Sequence, residues 1–230
     1  MAEALGTALL VLAIVLAVAL SLAAGSPLAD TLPGPGARFL MVGVLVAPFV
    51  AALALSPVGR LSGAHLNPAV TLAFWVLGRL RGRDFLGYIA AQLVGGLAGA
   101  AAGRALLPPA AWQSIGGTVT HPEVPAAAAF ALEAGMTALL LVVILTFTSS
   151  ERLMRLTPLA IVPVLTAIIW LGSPWTGASI NPARSEGPAV AFGDLADLWL
   201  YVLAPSMAGL VVGLAWRVTR TPLGALPRDT

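Results

Sequence analysis

Residues 62–72 read SGAHLNPAVTL, and residues 176–186 read TGASINPARSE. Each passes from small residues through Asn-Pro-Ala (Asn67, Pro68, Ala69; Asn181, Pro182, Ala183) into a short apolar segment, 67–77 and 181–191. Asparagine is a favoured N-cap, and proline suits the first helical position, where its missing N–H would have no intrahelical partner. Each box therefore starts a helix. About eleven residues cover only about 16 Å of a hydrocarbon core of roughly 30 Å, so neither helix crosses a bilayer. The stretches before them, 62–66 and 176–180, hold glycine and read as irregular backbone. At membrane depth such backbone is tolerated only where protein buries it or where it lines an aqueous cavity.

The rest of the chain places both segments at that depth. Of 230 residues 59% are hydrophobic and 10% charged, with a mean hydropathy of +0.95. Soluble domains run at roughly 25% charged residues. A soluble enzyme, a nucleic-acid binder and a disordered regulator are excluded. Six apolar runs are expected as transmembrane helices, at about 2–23, 37–57, 84–106, 126–148, 157–172 and 196–217, the fifth being short. Pro33-Gly34-Pro35-Gly36, Pro108-Pro109 and Gly116-Gly117 mark connections. Residues 1–37 contain neither Arg nor Lys, so the first run lacks the basic flank of a signal peptide and is expected to stay as the first span.

Cysteine is absent, which excludes disulfides and thiolate chemistry, and His65 and His121 are the two histidines; no metal and no cofactor are expected. The pI of about 9.9 accompanies a net charge of only +2. All twelve basic residues are arginine, a compositional bias that calls for no nucleic-acid partner.

Six spans put both ends of the bundle on one side. With that side cytoplasmic, the inner segments hold Arg60, Arg79, Arg81, Arg83, Arg152, Arg155, Arg217, Arg220 and Arg228, and the outer side holds Arg38, Arg104 and Arg184. Nine against three follows the positive-inside rule and predicts a multi-pass protein of the cell membrane.

The two halves of the single domain, about 1–107 and 126–217, resemble one another. AEALGTALL (2–10) matches LEAGMTALL (132–140), pairing Glu3 and Thr7 with Glu133 and Thr137, and the Asn-Pro-Ala boxes follow later in each half. An odd number of spans separates the copies, so they enter the membrane from opposite faces. An inverted repeat of this kind places a solute path near the midplane at the repeat interface. Two re-entrant half-helices would meet there with their N-termini, each worth roughly half a positive charge, opposing cations. The amides of Asn67 and Asn181 can donate to a passing solute, and the carbonyls of Gly63, Ala64, His65, Gly177, Ala178 and Ser179 can accept. Glu3 and Glu133 are expected to hold backbone N–H groups of the loops, a structural role rather than proton transfer. Arg184, three residues after a capping asparagine, is placed in the pore. Gly95, Gly99 and Gly103, with Gly209 and Gly213, allow close helix approach.

Six spans with two boxes in the contexts SGAHLNPAVTLAF and TGASINPARSEGPAV resemble the aquaporin, or major intrinsic protein, family over essentially the whole chain. The resemblance implies an all-α, right-handed bundle of six transmembrane helices plus two half-helices, one pore per subunit, and a homotetramer in the lipid bilayer. It also implies an outer selectivity filter, carried over by offset from the two asparagines to Ala47, Ile169, Ala178 and Arg184. Water-selective members carry an aromatic at the position of Ala47 and histidine at that of Ile169; neither is present. Glycerol channels usually carry aromatics in this ring and aspartate after the arginine, where this chain has Ser185; Ala189 also fits the water-channel pattern. The Ala/Ile/Ala/Arg ring is similar to the wide-filter nodulin-26-like branch, associated with metalloid hydroxides such as arsenous and boric acid alongside glycerol or urea.

The expected function is a passive channel for water and small uncharged solutes that excludes protons and ions, and not an enzyme. A strictly water-selective pore is one alternative. A coupled secondary transporter is another, for which Glu3 and Glu133 are the only candidate midplane carboxylates. An enzyme would need a nucleophile–base or metal constellation, and the sequence offers none.

Overall fold

Apolar runs bounded by proline and glycine become helices at almost the expected bounds. The structure, a computed structural model, describes residues 1–115 and 118–220; the Gly116-Gly117 connection and Arg228 lie outside the described residues. In chain order the helices are α1 (Ala2–Leu22), α2 (Pro27–Thr31), α3 (Pro35–Leu55), α4 (Pro57–Ser62), α5 (Pro68–Val76), α6 (Gly82–Leu106), α7 (Pro109–Ile115), α8 (Ala126–Phe147), α9 (Glu151–Met154), α10 (Thr157–Thr176), α11 (Pro182–Phe192) and α12 (Leu198–Arg220). Six of them, α1, α3, α6, α8, α10 and α12, are long and apolar enough to cross a membrane. The half-helices are α5 and α11, and no strand occurs among the described residues. The all-helical membrane fold expected from the sequence is the one observed.

The fifth span corrects its expected end. It runs on to Thr176, with Pro163 and Pro174 inside it, instead of stopping near residue 172. Proline removes one hydrogen bond without forbidding the next turn. The helix stops where Gly177 adopts a left-handed φ of 74°.

The side on which α1 begins is the near face, and the side on which it ends is the far face. In the first half α1 packs on α3 and α6; in the second α8 packs on α10 and α12, and α3 meets α10 across the interface. The half-helices are exchanged: α5 lies on α12 and α11 on α6. Small residues make the close contacts. A Cβ on Gly95 or Gly99 would fall 2.3 or 2.2 Å from the carbonyl oxygen of Ala4 or Ala8, which sets the approach of α6 to α1.

Candidate functional site

Asn67 and Asn181 cap α5 and α11. The Asn67 Oδ1 accepts from Ala69 N at 2.8 Å, and the Asn181 Oδ1 accepts from Ala183 N at 3.0 Å and Arg184 N at 3.3 Å. Each amide also reaches across the repeat axis. Asn67 Nδ2 donates to the Ile180 carbonyl at 2.8 Å, and Asn181 Nδ2 donates to the Leu66 carbonyl at 2.8 Å. This clasp joins the two helix starts at the centre of the molecule. One amide hydrogen of each asparagine is occupied by the other loop, leaving the second for a solute.

The loops leading to the caps are strained and braced. Ala64, Leu66, Ala178 and Ile180 take φ values of 51°, 50°, 46° and 50°, three residues and one residue before each asparagine. Left-handed backbone costs on the order of 1–3 kcal/mol at such positions, most for a β-branched residue like Ile180. Two carboxylates hold it. Glu3 Oε1 accepts from Ser62 Oγ at 2.7 Å and His65 N at 3.1 Å, and its Oε2 from Leu66 N and Gln92 Nε2, each at 2.7 Å. Glu133 Oε1 accepts from Thr176 Oγ1 at 2.6 Å and Ser179 N at 2.9 Å, and its Oε2 from Ile180 N at 2.8 Å. The same loop positions are served in both halves. Four otherwise stranded N–H groups at membrane depth are satisfied in this way.

A second paired device lies on the third span of each half. Tyr88 Oη donates to the Ser62 carbonyl at 2.6 Å, and Tyr201 Oη to the Thr176 carbonyl at 2.7 Å. Eight residues on, a Cβ at Gly96 would lie 2.3 Å from the Ala183 carbonyl oxygen, and one at Gly209 would lie 2.5 Å from that of Ala69. Eight further on, Arg104 Nη1 donates to the Ala191 carbonyl and Arg217 Nη1 to the Val76 carbonyl, at the C-terminal ends of α11 and α5. Tyr-x7-Gly-x7-Arg therefore repeats at 88, 96, 104 and at 201, 209, 217. One helix in each half holds its own loop, seats the other half's Asn-Pro-Ala alanine, and caps the other half-helix. Sequence reading missed this role; the repeated spacing, on a chain with only two tyrosines, was the available signal.

Between these elements runs a cavity of about 1230 Å³ that touches Phe39 and Thr118 toward the far face and Arg60, Thr148 and Arg155 toward the near face. Gly63, Ala64, His65, Asn67, Gly177, Ala178, Ser179, Asn181, Ile169 and Arg184 all line it, with Leu66 and Ile180, which sequence reading left out. The His65 ring sits 4.7 Å from Phe74 and 5.1 Å from Tyr88, with Nδ1 3.2 Å from Thr71 Oγ1. Arg184 Nη1 donates to Thr118 Oγ1, and Thr118 continues to Ser185 and Ser179 through hydroxyl contacts. Thr118 was not singled out from sequence, where it is one residue of an outer connection.

Ala47 is corrected. It is fully buried and does not line the cavity; Val42, Val46 and Val50 of the same helix do. Its face of α3 packs on α10, where Gly43, one turn earlier, would place a Cβ 2.9 Å from the Thr166 carbonyl oxygen. Gly43 and Ala47 form a small-xxx-small contact. The offset from Asn67 therefore selects a packing alanine, and the adjacent Val46 takes the cavity position.

Comparison with known proteins agrees with this geometry. Residues 1–216 match the family model described as "Major intrinsic protein". The glycerol uptake facilitator protein-like 6 of Lactiplantibacillus plantarum is 36% identical over 70% of this chain and 76% of its own. Aquaporin Z of Rhodopseudomonas palustris is 37% identical over 70% of this chain and 71% of its own. Rice aquaporin NIP3-1 is 37% identical over 67% of this chain, which spans about half (49%) of that relative. The X-ray structure of the aquaglyceroporin from Plasmodium falciparum shares the fold, with a TM-score of 0.74 at 23% identity over 94% of this chain and 93% of that one. A clasped pair of half-helices inside six spans, and relatives matched over most of this chain, lead to one conclusion: the chain belongs to the major intrinsic protein family of aquaporins and aquaglyceroporins.

Proposed function

We propose that this channel passes water together with larger uncharged solutes, among them glycerol, urea and metalloid hydroxides such as arsenous and boric acid. The observation that supports the reading is the chemistry of the cavity-lining residues assigned to the filter. Val46, Ile169 and Ala178 contribute only aliphatic groups to the cavity, and Arg184 contributes the charged donor. With no aromatic ring or imidazole at these positions, the opening is wider and lacks the polar group that would orient water across from Arg184. Below it, the free amide hydrogens of Asn67 and Asn181 and the loop carbonyls exchange hydrogen bonds with a solute that has left bulk water. Flux is passive and runs down the solute gradient. The arginine distribution supports a cytoplasmic near face in a cell membrane, and the exposed apolar side chains of the spans suit lipid and the homotetramer expected of the family.

Vesicles containing the protein test this by stopped-flow light scattering with water, glycerol and urea, and by arsenite uptake at neutral pH. The expected result is permeability to all four well above that of empty vesicles. Water flux alone would overturn the wide-filter reading, and flux that follows an ion gradient would overturn the passive one.

A further inference from the structure

We propose that the near-face mouth of the pore is a binding site for phosphate-bearing anions, and that occupancy there closes the path from that side. Arg60 on α4, Arg79 after α5 and Arg155 after α9 line the same cavity from three separate elements. The near face holds other arginines, Arg81, Arg83 and Arg152, that do not line it. A general preference for arginine on this face thus explains the segments but not the three that line the mouth.

Among the described residues no carboxylate lines the cavity, and the ion pair found among them, Arg83 with Asp84 at 3.9 Å, is elsewhere. The guanidinium groups of Arg60 and Arg155 have no hydrogen-bond or ion-pair partner among the described residues; only their backbone N–H groups are paired, with the Ser56 and Leu153 carbonyls. Arg79 is held in place, with Nη1 3.5 Å from Thr148 Oγ1 and its guanidinium carbon 5.6 Å above the Phe74 ring, which leaves most of its five donors free. Uncharged cargo gains little from three cations. A phosphate group gains much more: its oxygens match the guanidinium fork, and concave walls of low dielectric focus a field of one sign. Met154, Pro158 and Ile161 supply such walls. The phosphate can belong to a soluble ester or to a lipid headgroup.

The closure half of this proposal rests on the channel reading, so binding and flux are measured separately. Calorimetry with tripolyphosphate and the detergent-purified protein is expected to show binding that Arg60→Gln with Arg155→Gln removes. At a concentration about twice the dissociation constant, about two-thirds of the channels are occupied and solute flux in phosphatidylcholine vesicles falls about threefold, relative to the same ionic strength of sodium chloride. The double variant, compared with itself, is expected to show no slowing. No binding, or equal binding by the variant, overturns the site; binding without slowing overturns closure. Flux no greater than in empty vesicles, with binding retained, overturns the solute reading and upholds the site. Vesicles containing phosphatidylglycerol separate the sources: slowing without added tripolyphosphate, reversed in the double variant, assigns the phosphate to a headgroup.

Discussion

Glu3 receives four hydrogen bonds, two of them from buried groups, and Glu133 three, all from buried groups. Replacing Glu133 with Gln turns one acceptor into a donor facing the N–H of Ser179 or Ile180. Leaving a buried donor unpaired costs about 1–3 kcal/mol, and the left-handed turn at Ile180 loses its brace. Glu133→Gln is therefore expected to lower stability by about 2–4 kcal/mol, seen as a fall in thermal midpoint in detergent. An unchanged midpoint would mean that the loop is held by something else. Thr118 acts on Arg184 instead. Thr118→Val keeps the shape and removes the acceptor, and a hydrogen bond to a charged donor is worth about 1.5–3 kcal/mol. Freed from it, the guanidinium samples the path, so glycerol flux is expected to fall about tenfold while water flux falls less. Equal loss of both would show general disruption and not a change at the constriction. The two neighbours on α3 separate packing from lining. Val46→Phe with Ile169→His is expected to restrict glycerol and urea before water. Ala47→Phe overfills the α3–α10 contact, an error that costs about 1–3 kcal/mol, and is expected to lower the melting temperature.

At the scale of elements, the third span of each half explains why the half-helices stay where they are. Their N-termini are clasped by Asn67 and Asn181, and their C-termini are capped by Arg217 and Arg104 from the opposite half. Gly96→Ala and Gly209→Ala each drive a methyl group against backbone, at 2.3 Å from Ala183 O and 2.5 Å from Ala69 O, where no flexible side chain can yield. Both are expected to displace the half-helix of the other half and reduce solute flux severalfold, as small residues alone permit this approach. Gly135→Ala, with nothing within 4 Å of the new methyl, is the control. Full flux in the two displaced variants would show that the half-helices tolerate the shift. The helices themselves were legible because hydropathy, proline at N1 and glycine at C′ act locally. The motif asparagines cap where their spacing puts them for the same reason. Ala47 was not legible: nothing in the sequence distinguishes an alanine that faces a pore from one that faces a neighbouring helix, and only the Gly43-xxx-Ala47 spacing hints at the latter. The left-handed loop residues were equally silent, since Ala64, Leu66, Ala178 and Ile180 have side chains that disfavour that conformation and are held in it by contacts from distant elements.

Over the whole molecule the inverted repeat is nearly complete in its scaffolding and breaks at the path. The residue three after Asn181 is Arg184, and the residue three after Asn67 is Val70; both line the cavity. Scaffold symmetry sets two half-helices tip to tip, whereas the asymmetry puts a fixed charge at the third position after Asn181 and an apolar side chain at the matching position after Asn67. Cations arriving from the far face meet Arg184 first and the two helix N-termini next, while those from the near face meet Arg60, Arg79 and Arg155. At about 8 Å and an effective dielectric constant near 20, one unit charge raises the energy of a passing cation by about 2 kcal/mol, about thirtyfold in rate. Removing Arg184 takes that contribution away and leaves the helix dipoles, roughly half a charge each. The intact protein is expected to leak protons no faster than empty vesicles under an imposed potential, followed with an entrapped pH-sensitive dye. Arg184→Val is expected to raise the leak by about ten- to thirtyfold without making water flux depend on pH gradients. A wild-type leak above the empty-vesicle level would place a proton path through the cavity and overturn the neutral-solute reading. A variant as tight as the wild type would assign cation exclusion to the paired helix N-termini alone.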